Sequence, residues 1–469
     1  MTTQRRWPTA WAASVAALFV LPVLSLALLA TREAASFPVY GDQTALPTGT
    51  ELDEDAVAVP REQFHTEALE GLTSYMVKLG DIAFNAPQIL GATARRAGMS
   101  CNTCHVNGST NGKLFIPGLS RHPGTFDTTS ALFNPKADNG SLDPVRIPSL
   151  RGARFLGPYG NDGRMASLRD FVRNVIVNEF AGPEPSPRIL DAIVAYIQDI
   201  DFLPNHRLGF AGRLHSDDAA EIRGEALFNK PFPHNPGLSC AACHVPSAAF
   251  VDHQQHDVGS GGFFKTPTLL DANFNAPYFH DGRFQRYEDV IAHFDKVFDL
   301  GLSAQDQGDL VAYLRAIGDA DRPFLYNRLG VALQEVSDFA SVLGTAIPAH
   351  DADVVSLTVD TIDNELRELI DLFPDHRDPT IPGGQAERLR ARAALKGMVL
   401  QLSRIEAAAA AGDFDAAAAA FQTYRYETTQ GVGPALQAAQ PWSLLNPKLH
   451  DAHYDALRQM QQAANKAGQ

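Results

Sequence analysis

Apolar and polar positions divide this chain into three regimes. From about Trp11 to Ala30 the residues are almost all apolar; from Arg61 to about residue 320 a helical period recurs between Pro/Gly-rich stretches; beyond Pro323 long amphipathic segments take over. The last regime predicts helices near Leu333 to Leu343, Ala352 to Phe373, Gln385 to Ala411, Asp415 to Glu427 and Pro447 to Lys466. Ile362, Leu366, Leu369 and Phe373 form one helical stripe, and breaks fall at Pro348, at Pro379 to Gly384 and at Gly412-Asp413. The alanine-rich stretches read as close-packed faces of a bundle of four or five helices, residues 326–469.

The middle regime repeats itself. LGDIAFNAP, Leu79 to Pro87, answers RGEALFNKP, Arg223 to Pro231, and Ile147 to Arg164 align without a gap on Thr266 to Arg283, with nine identities in eighteen positions. A helix containing Val194-Ala195-Tyr196 answers one containing Val311-Ala312-Tyr313. Two homologous helical units are therefore expected in tandem, at 61–205 and 206–325.

Each unit carries one pentapeptide: Cys101-Asn102-Thr103-Cys104-His105, then Cys240-Ala241-Ala242-Cys243-His244. Two thiols at a three-residue offset can add across the two vinyl groups of a haem, and the adjoining imidazole then reaches the iron. All four cysteines of the protein lie in these pentapeptides, which leaves none for a disulfide framework. A four-thiolate zinc site is the rival. Its pairs are typically separated by ~15 to 20 residues, whereas here they lie about 140 apart and each is followed by histidine. The expected cofactors are two covalently bound haem c groups, and the expected fold is all-α: two tandem cytochrome c-like domains and a C-terminal helical bundle.

Charge and the N-terminus bear on location. Arg5 and Arg6 precede the apolar run, a signature of export that keeps this end cytoplasmic. Residues 1–36 are read as an uncleaved inner-membrane anchor, with a cleaved signal as the alternative, and 37–60 as a linker rich in proline and acid. The body is then periplasmic. A formal charge of -15 argues against nucleic acid as a partner and leaves a basic electron-transfer protein possible.

Taken together, CAACH, FVDHQQHDVG (Phe250 to Gly259), TPTLLDANFNAPYFHDGRF (Thr266 to Phe284) and YEDVIAHFD (Tyr287 to Asp295) resemble the bacterial di-haem cytochrome c peroxidase/MauG superfamily over about residues 75–320. The resemblance implies hydrogen peroxide reduction at an N-terminal haem on His105. Electrons would enter through a C-terminal haem on His244 from a small donor of cytochrome c or cupredoxin type, or a partner protein would be oxidised instead, with the bundle as its docking surface. A purely electron-transferring cytochrome remains the non-enzymatic alternative.

Site residues follow from the same resemblance. The family's second axial ligand falls at Phe294, which cannot ligate, so His293 is the candidate, with His280 behind it. In the first repeat the corresponding positions are Asn161, Asn174 and Val175, which leaves His122 as a displaceable ligand, with Met165 a weaker one, and favours the first haem as the open, reactive site. Glu179 is the expected catalytic carboxylate, with Glu184 next. Arg164 is placed beside it and, like Arg283, is expected to pair a propionate or pin its loop. Two departures stand out. The relay tryptophan of the family is Asn161 here, leaving Tyr159 or Tyr278, and the calcium site's side-chain oxygen is replaced by Arg146, so calcium is in doubt although the carbonyls of Asn275 and Pro277 remain.

Overall fold

A computed structural model describes residues 46–52, 64–66, 73–321, 328–375, 381–446, 448–450, 452–453 and 455–456. The expected anchor at 1–36, most of the linker and most of the expected helix from Pro447 to Lys466 lie outside these residues. Among the described residues no helix is long and apolar enough to cross a membrane.

The chain is mostly helical. In the first repeat α1 (Tyr75–Asn85) is followed by α2 (Ala92–Arg96), the single turn α3 (Cys101–Cys104), α4 (Leu168–Asn174) and α5 (Pro187–Asp199). The second repeat has α6 (Ala219–Asn229), the turn α7 (Cys240–Cys243), α8 (Tyr287–Phe298) and α9 (Ala304–Ile317). Beyond it come α10 (Arg328–Ala346), α11 (Ala352–Asp371), α12 (Gln385–Ala410), α13 (Phe414–Glu427) and α14 (Gly433–Ala439). The starts are locally encoded: Ser74, Asp218 and Ser186 accept from backbone N–H groups of the first turns of α1, α6 and α5, and Ser303 with Asp306 forms a capping box on α9.

The all-α expectation omits three antiparallel ribbons of two strands: β1 (Phe64–His65) with β4 (Ile200–Asp201), β2 (Thr125–Phe126) with β3 (Val145–Arg146), and β5 (Gln255–Asp257) with β6 (Phe263–Lys265). Strands of two or three residues are too short to show a period of two, so nothing in the hydrophobic pattern announces them.

The sequence repeat is also a repeat of packing. α1 crosses α5 at Gly80, where a Cβ would stand 2.0 Å from the Ala192 carbonyl oxygen, and α6 crosses α9 at the aligned Gly224, where it would stand 2.1 Å from that of Asp309. Phe84 meets Tyr196 with ring centroids 5.1 Å apart, and Phe228 meets Tyr313 at the same 5.1 Å. The hydrophobic cores divide differently. The second repeat encloses its own, around Phe228, Phe250, Tyr313 and Ile317, whereas that of the first repeat is continuous with the bundle. α11 lies against α1, with the Thr361 hydroxyl donating to the Ile82 carbonyl at 3.0 Å and the Asp360 carboxylate accepting from the Gln88 N–H at 3.1 Å. The bundle expected as a separate unit from residue 326 thus shares its interior with the first repeat.

Candidate haem and peroxide site

Both pentapeptides form one helical turn, started by the preceding serine: Ser100 makes a capping box with Thr103, and Ser239 accepts from the Ala242 N–H. Each turn ends at its histidine, whose ring is then fixed from behind. Nδ1 of His105 lies 2.8 Å from the Pro148 carbonyl oxygen and Nδ1 of His244 lies 3.2 Å from that of Phe250. A carbonyl can only accept, so Nδ1 carries the proton and Nε2 is left with its lone pair, the state an iron ligand needs. Burial works in the same direction, holding His105 neutral with its pKa pulled down to about 4 and drawing His244 down as well. Burial also raises Cys101 to about 12 and Cys240 to about 11, so both are protonated thiols before attachment. Paired thiols on one turn beside a tethered, neutral imidazole fit c-type haem at each place.

Asp252 and His256 are a lining the motif alone did not reveal. His256 Nε2 pairs with the Asp252 carboxylate at 2.6 Å, and one ligand atom of each lies within 4.8 Å of Cys243 Sγ. A thioether on that sulfur would leave Asp252 and His256 as the ionic margin of the attachment turn.

The first repeat carries a buried carboxylate cluster. After α4 the chain makes a π turn, Val175–Glu179, a local underwinding that ends with Glu179 buried. Glu179 is 9% exposed. Its Oε1 accepts from Arg164 at 3.0 Å and from the Asn174 amide at 3.1 Å, and the Thr128 hydroxyl is a further partner. Burial raises the carboxyl above the ordinary glutamate range, and Arg164 opposes that rise. Phe126, Phe133 and Phe180 pack together beside it, with Phe133 and Phe180 5.0 Å apart. Glu184, the other expected carboxylate, is exposed and paired with Arg173 at 2.6 Å. Of the two carboxylates, the buried one is Glu179.

The second repeat differs at these positions. The continuation of the gapless alignment puts Phe298 where the first repeat has Glu179, and α8 runs on where the π turn stands. Arg283 binds its own Asp281 and the Ser260 carbonyl. Arg164 pairs with Asp162 and Glu179.

Each expected sixth ligand has another engagement. His293 Nε2 lies 2.8 Å from the Val258 carbonyl oxygen, and its ring stands edge-on to Phe279 at 4.8 Å. His280 lies flat on Phe264 with centroids 3.5 Å apart. His122 is exposed on the turn before β2, where its backbone is held by Thr125. Met165 is half-buried and bridges to Tyr159. The two relay candidates are held alike: the Tyr159 hydroxyl donates to the Ala153 carbonyl at 3.3 Å and that of Tyr278 to the Ala272 carbonyl at 3.1 Å.

Residues 220–324 match the family of di-haem cytochrome c peroxidases. The chain is 25% identical over 326 residues to the hydrazine synthase subunit gamma of Kuenenia stuttgartiensis, covering 56% of this chain and 83% of that protein. It is 26% identical over 304 residues to the methylamine utilization protein MauG of Methylorubrum extorquens, covering 52% of this chain and 79% of that one. A solved MauG-like protein associated with microbial copper homeostasis aligns with a TM-score of 0.38 at 20% identity, over 58% of this chain and 94% of that one.

Proposed function

The chain belongs to the di-haem cytochrome c peroxidase/MauG superfamily, and from that premise we propose that it reduces hydrogen peroxide at a haem attached through Cys101, Cys104 and His105, with electrons arriving through a second haem attached through Cys240, Cys243 and His244. The two repeats are then cytochrome c-like domains in tandem. Bound haem supplies an iron that passes electrons singly and, where a coordination position is open, takes peroxide as a ligand. Two electrons and two protons convert one peroxide into two waters, so the protein must also move protons.

The observation that supports the first repeat as the reactive one is the buried Glu179, for which the second repeat has Phe298. A carboxyl raised by burial and held by Arg164 and Asn174 is suited to take a proton from one peroxide oxygen and return it to the other as the O–O bond breaks. Arg164 steadies the ionised form between these transfers. Of the chain's histidines, His293 would hold the iron of the second haem, giving up its hydrogen bond to the Val258 carbonyl, with His280 as the reserve. His122, exposed on the turn before β2, would be the displaceable ligand of the first iron.

The body is placed in the periplasm, held by the N-terminal segment, with a small cytochrome or cupredoxin as donor. A second reading is favoured by the match to MauG across about half of the chain: peroxide-driven oxidation of a partner protein seated on the bundle. Steady-state peroxide turnover with a reduced small cytochrome tests the first reading. Glu179→Gln is expected to lower it by about 10²-fold or more while the visible haem spectrum is kept, and Glu184→Gln is expected to leave it within about twofold. A wild-type rate in Glu179→Gln overturns the assignment.

A further inference from the structure

The gapless alignment of the repeats pairs Arg146 with Lys265, Leu156 with Asn275, Pro158 with Pro277 and Asn161 with His280. The hydrogen bonds between the repeats obey the same pairing. Lys265 of the second repeat places Nζ on the carbonyl oxygens of Leu156 at 2.7 Å and Pro158 at 2.8 Å in the first, and its backbone N–H donates to the Asn161 carbonyl at 2.9 Å. Arg146 of the first repeat places Nη1 on the carbonyl oxygen of Asn275 at 2.9 Å in the second, and its backbone N–H donates to the His280 carbonyl at 2.6 Å. Each cation thus enters the same loop of the other repeat that its counterpart enters in its own. The flanks tighten around them: a Cβ at Gly124 would stand 2.6 Å from Pro277 Cδ, and one at Gly282 2.6 Å from Thr125 Cγ2.

We infer that Arg146 and Lys265 are the two equivalent arms of a pseudo-twofold clamp that fixes the repeats to each other, the chain's own cations standing where the superfamily resemblance implies a calcium ion. The residues do not fit calcium. Position 146 offers no side-chain oxygen, its carbonyl already accepts from the Asn161 amide, and a guanidinium occupies the Asn275 carbonyl, so an ion there would meet like charge. The remaining candidate donors are the Pro277 carbonyl and Asn275 Oδ1, which is buried with no hydrogen-bond partner. Calcium prefers six to eight oxygen ligands, and this set falls short of that. A rigid clamp sets the distance between the cofactors; that consequence rests on the two-haem reading, whereas the clamp itself does not.

The test uses the full-length, haem-loaded protein. Calorimetric titration with calcium chloride is expected to give no binding heat, and the thermal midpoint is expected to be the same in EGTA as in millimolar calcium. Arg146→Gln and Lys265→Gln are each expected to lower the midpoint by about 5 °C and to slow electron equilibration between the haems, whereas Lys265→Arg keeps both. Stoichiometric calcium binding that raises the wild-type midpoint overturns the inference, as does an unchanged midpoint in both glutamine variants. None of these readouts requires peroxide turnover, so the clamp and the peroxidase reading stand or fall separately.

Discussion

At the scale of single residues, what separates the two CxxCH turns is the surroundings and not the motif. His105 and His244 are held in one tautomer by equivalent carbonyl tethers, but only the first repeat adds Glu179 with Arg164. The cysteine pairs and the histidine after each were legible in the sequence because CxxCH is a contiguous motif, and Glu179 was named ahead of Glu184, which the fold leaves exposed while it buries Glu179. Asn174 and Thr128, which hold that carboxylate, were not, since their meeting depends on a π turn that no local pattern marks. Substituting Arg164 is a direct check on the pairing. Arg164→Met is expected to leave Glu179 opposed only by neutral partners, moving its pKa further up. The acidic limb of the peroxide pH–rate profile then shifts to higher pH, because the general base must be ionised; an unmoved limb removes Arg164 from that role.

At the scale of elements, two glycines set the helix crossings. Gly80 and Gly224 stand where a Cβ would fall within 2.0 and 2.1 Å of a backbone oxygen of the partner helix, and backbone cannot step aside as a side chain can. Gly80→Ala and Gly224→Ala are each expected to destabilise by about 2–3 kcal/mol in chemical denaturation. Gly308→Ala, within α9 and with open space around the new methyl, is expected to stabilise by about 0.5–1 kcal/mol. The aligned pentads LGDIA and RGEAL carried this information, for a glycine kept mid-helix in both copies signals close approach. A second element-scale feature joins α1 to α10: Asp81 is raised to about 8 by burial and by Glu335 and Asp338, against bonds from Tyr196 and Asn85. A raised carboxyl adds stability below its unfolded value near 4, and that contribution is lost as pH rises through about 8. Asp81→Asn is therefore expected to raise the thermal midpoint at pH 8 to 9 and to leave it unchanged near pH 4. A gain that is equal at both pH values excludes titration as the cause.

For the whole molecule, the sequence conveyed most helix positions beyond residue 326 among the described residues, including α11 at Ala352–Asp371 against an expected Ala352 to Phe373. It did not convey how the units are joined. Periodicity reports that a helix has an apolar face and is silent about which neighbour covers it, so the continuity of the bundle's core with the first repeat emerged only from the fold. The same holds for the clamp: Arg146 and Lys265 align in the repeat, yet their reciprocal seating is a property of two loops meeting. Shortening the chain to end at 325 is expected to uncover the face of α1 around Ile82 and Thr361's partner carbonyl, giving a product that binds a hydrophobic dye and melts without a sharp transition. A truncated chain with an unaltered, cooperative melt removes the bundle from the stability of the first repeat.

The central claim is that the two haem sites are unequal and that the first is open to peroxide. Electron paramagnetic resonance of the haem-loaded protein, oxidised and half-reduced, before and after one equivalent of hydrogen peroxide, tests it most directly. The expected result is one low-spin signal throughout and a second, high-spin or ligand-exchanging signal that peroxide alters, with the alteration slowed in Glu179→Gln. Two low-spin signals that peroxide leaves untouched in both redox states contradict the claim and leave a cytochrome that only transfers electrons.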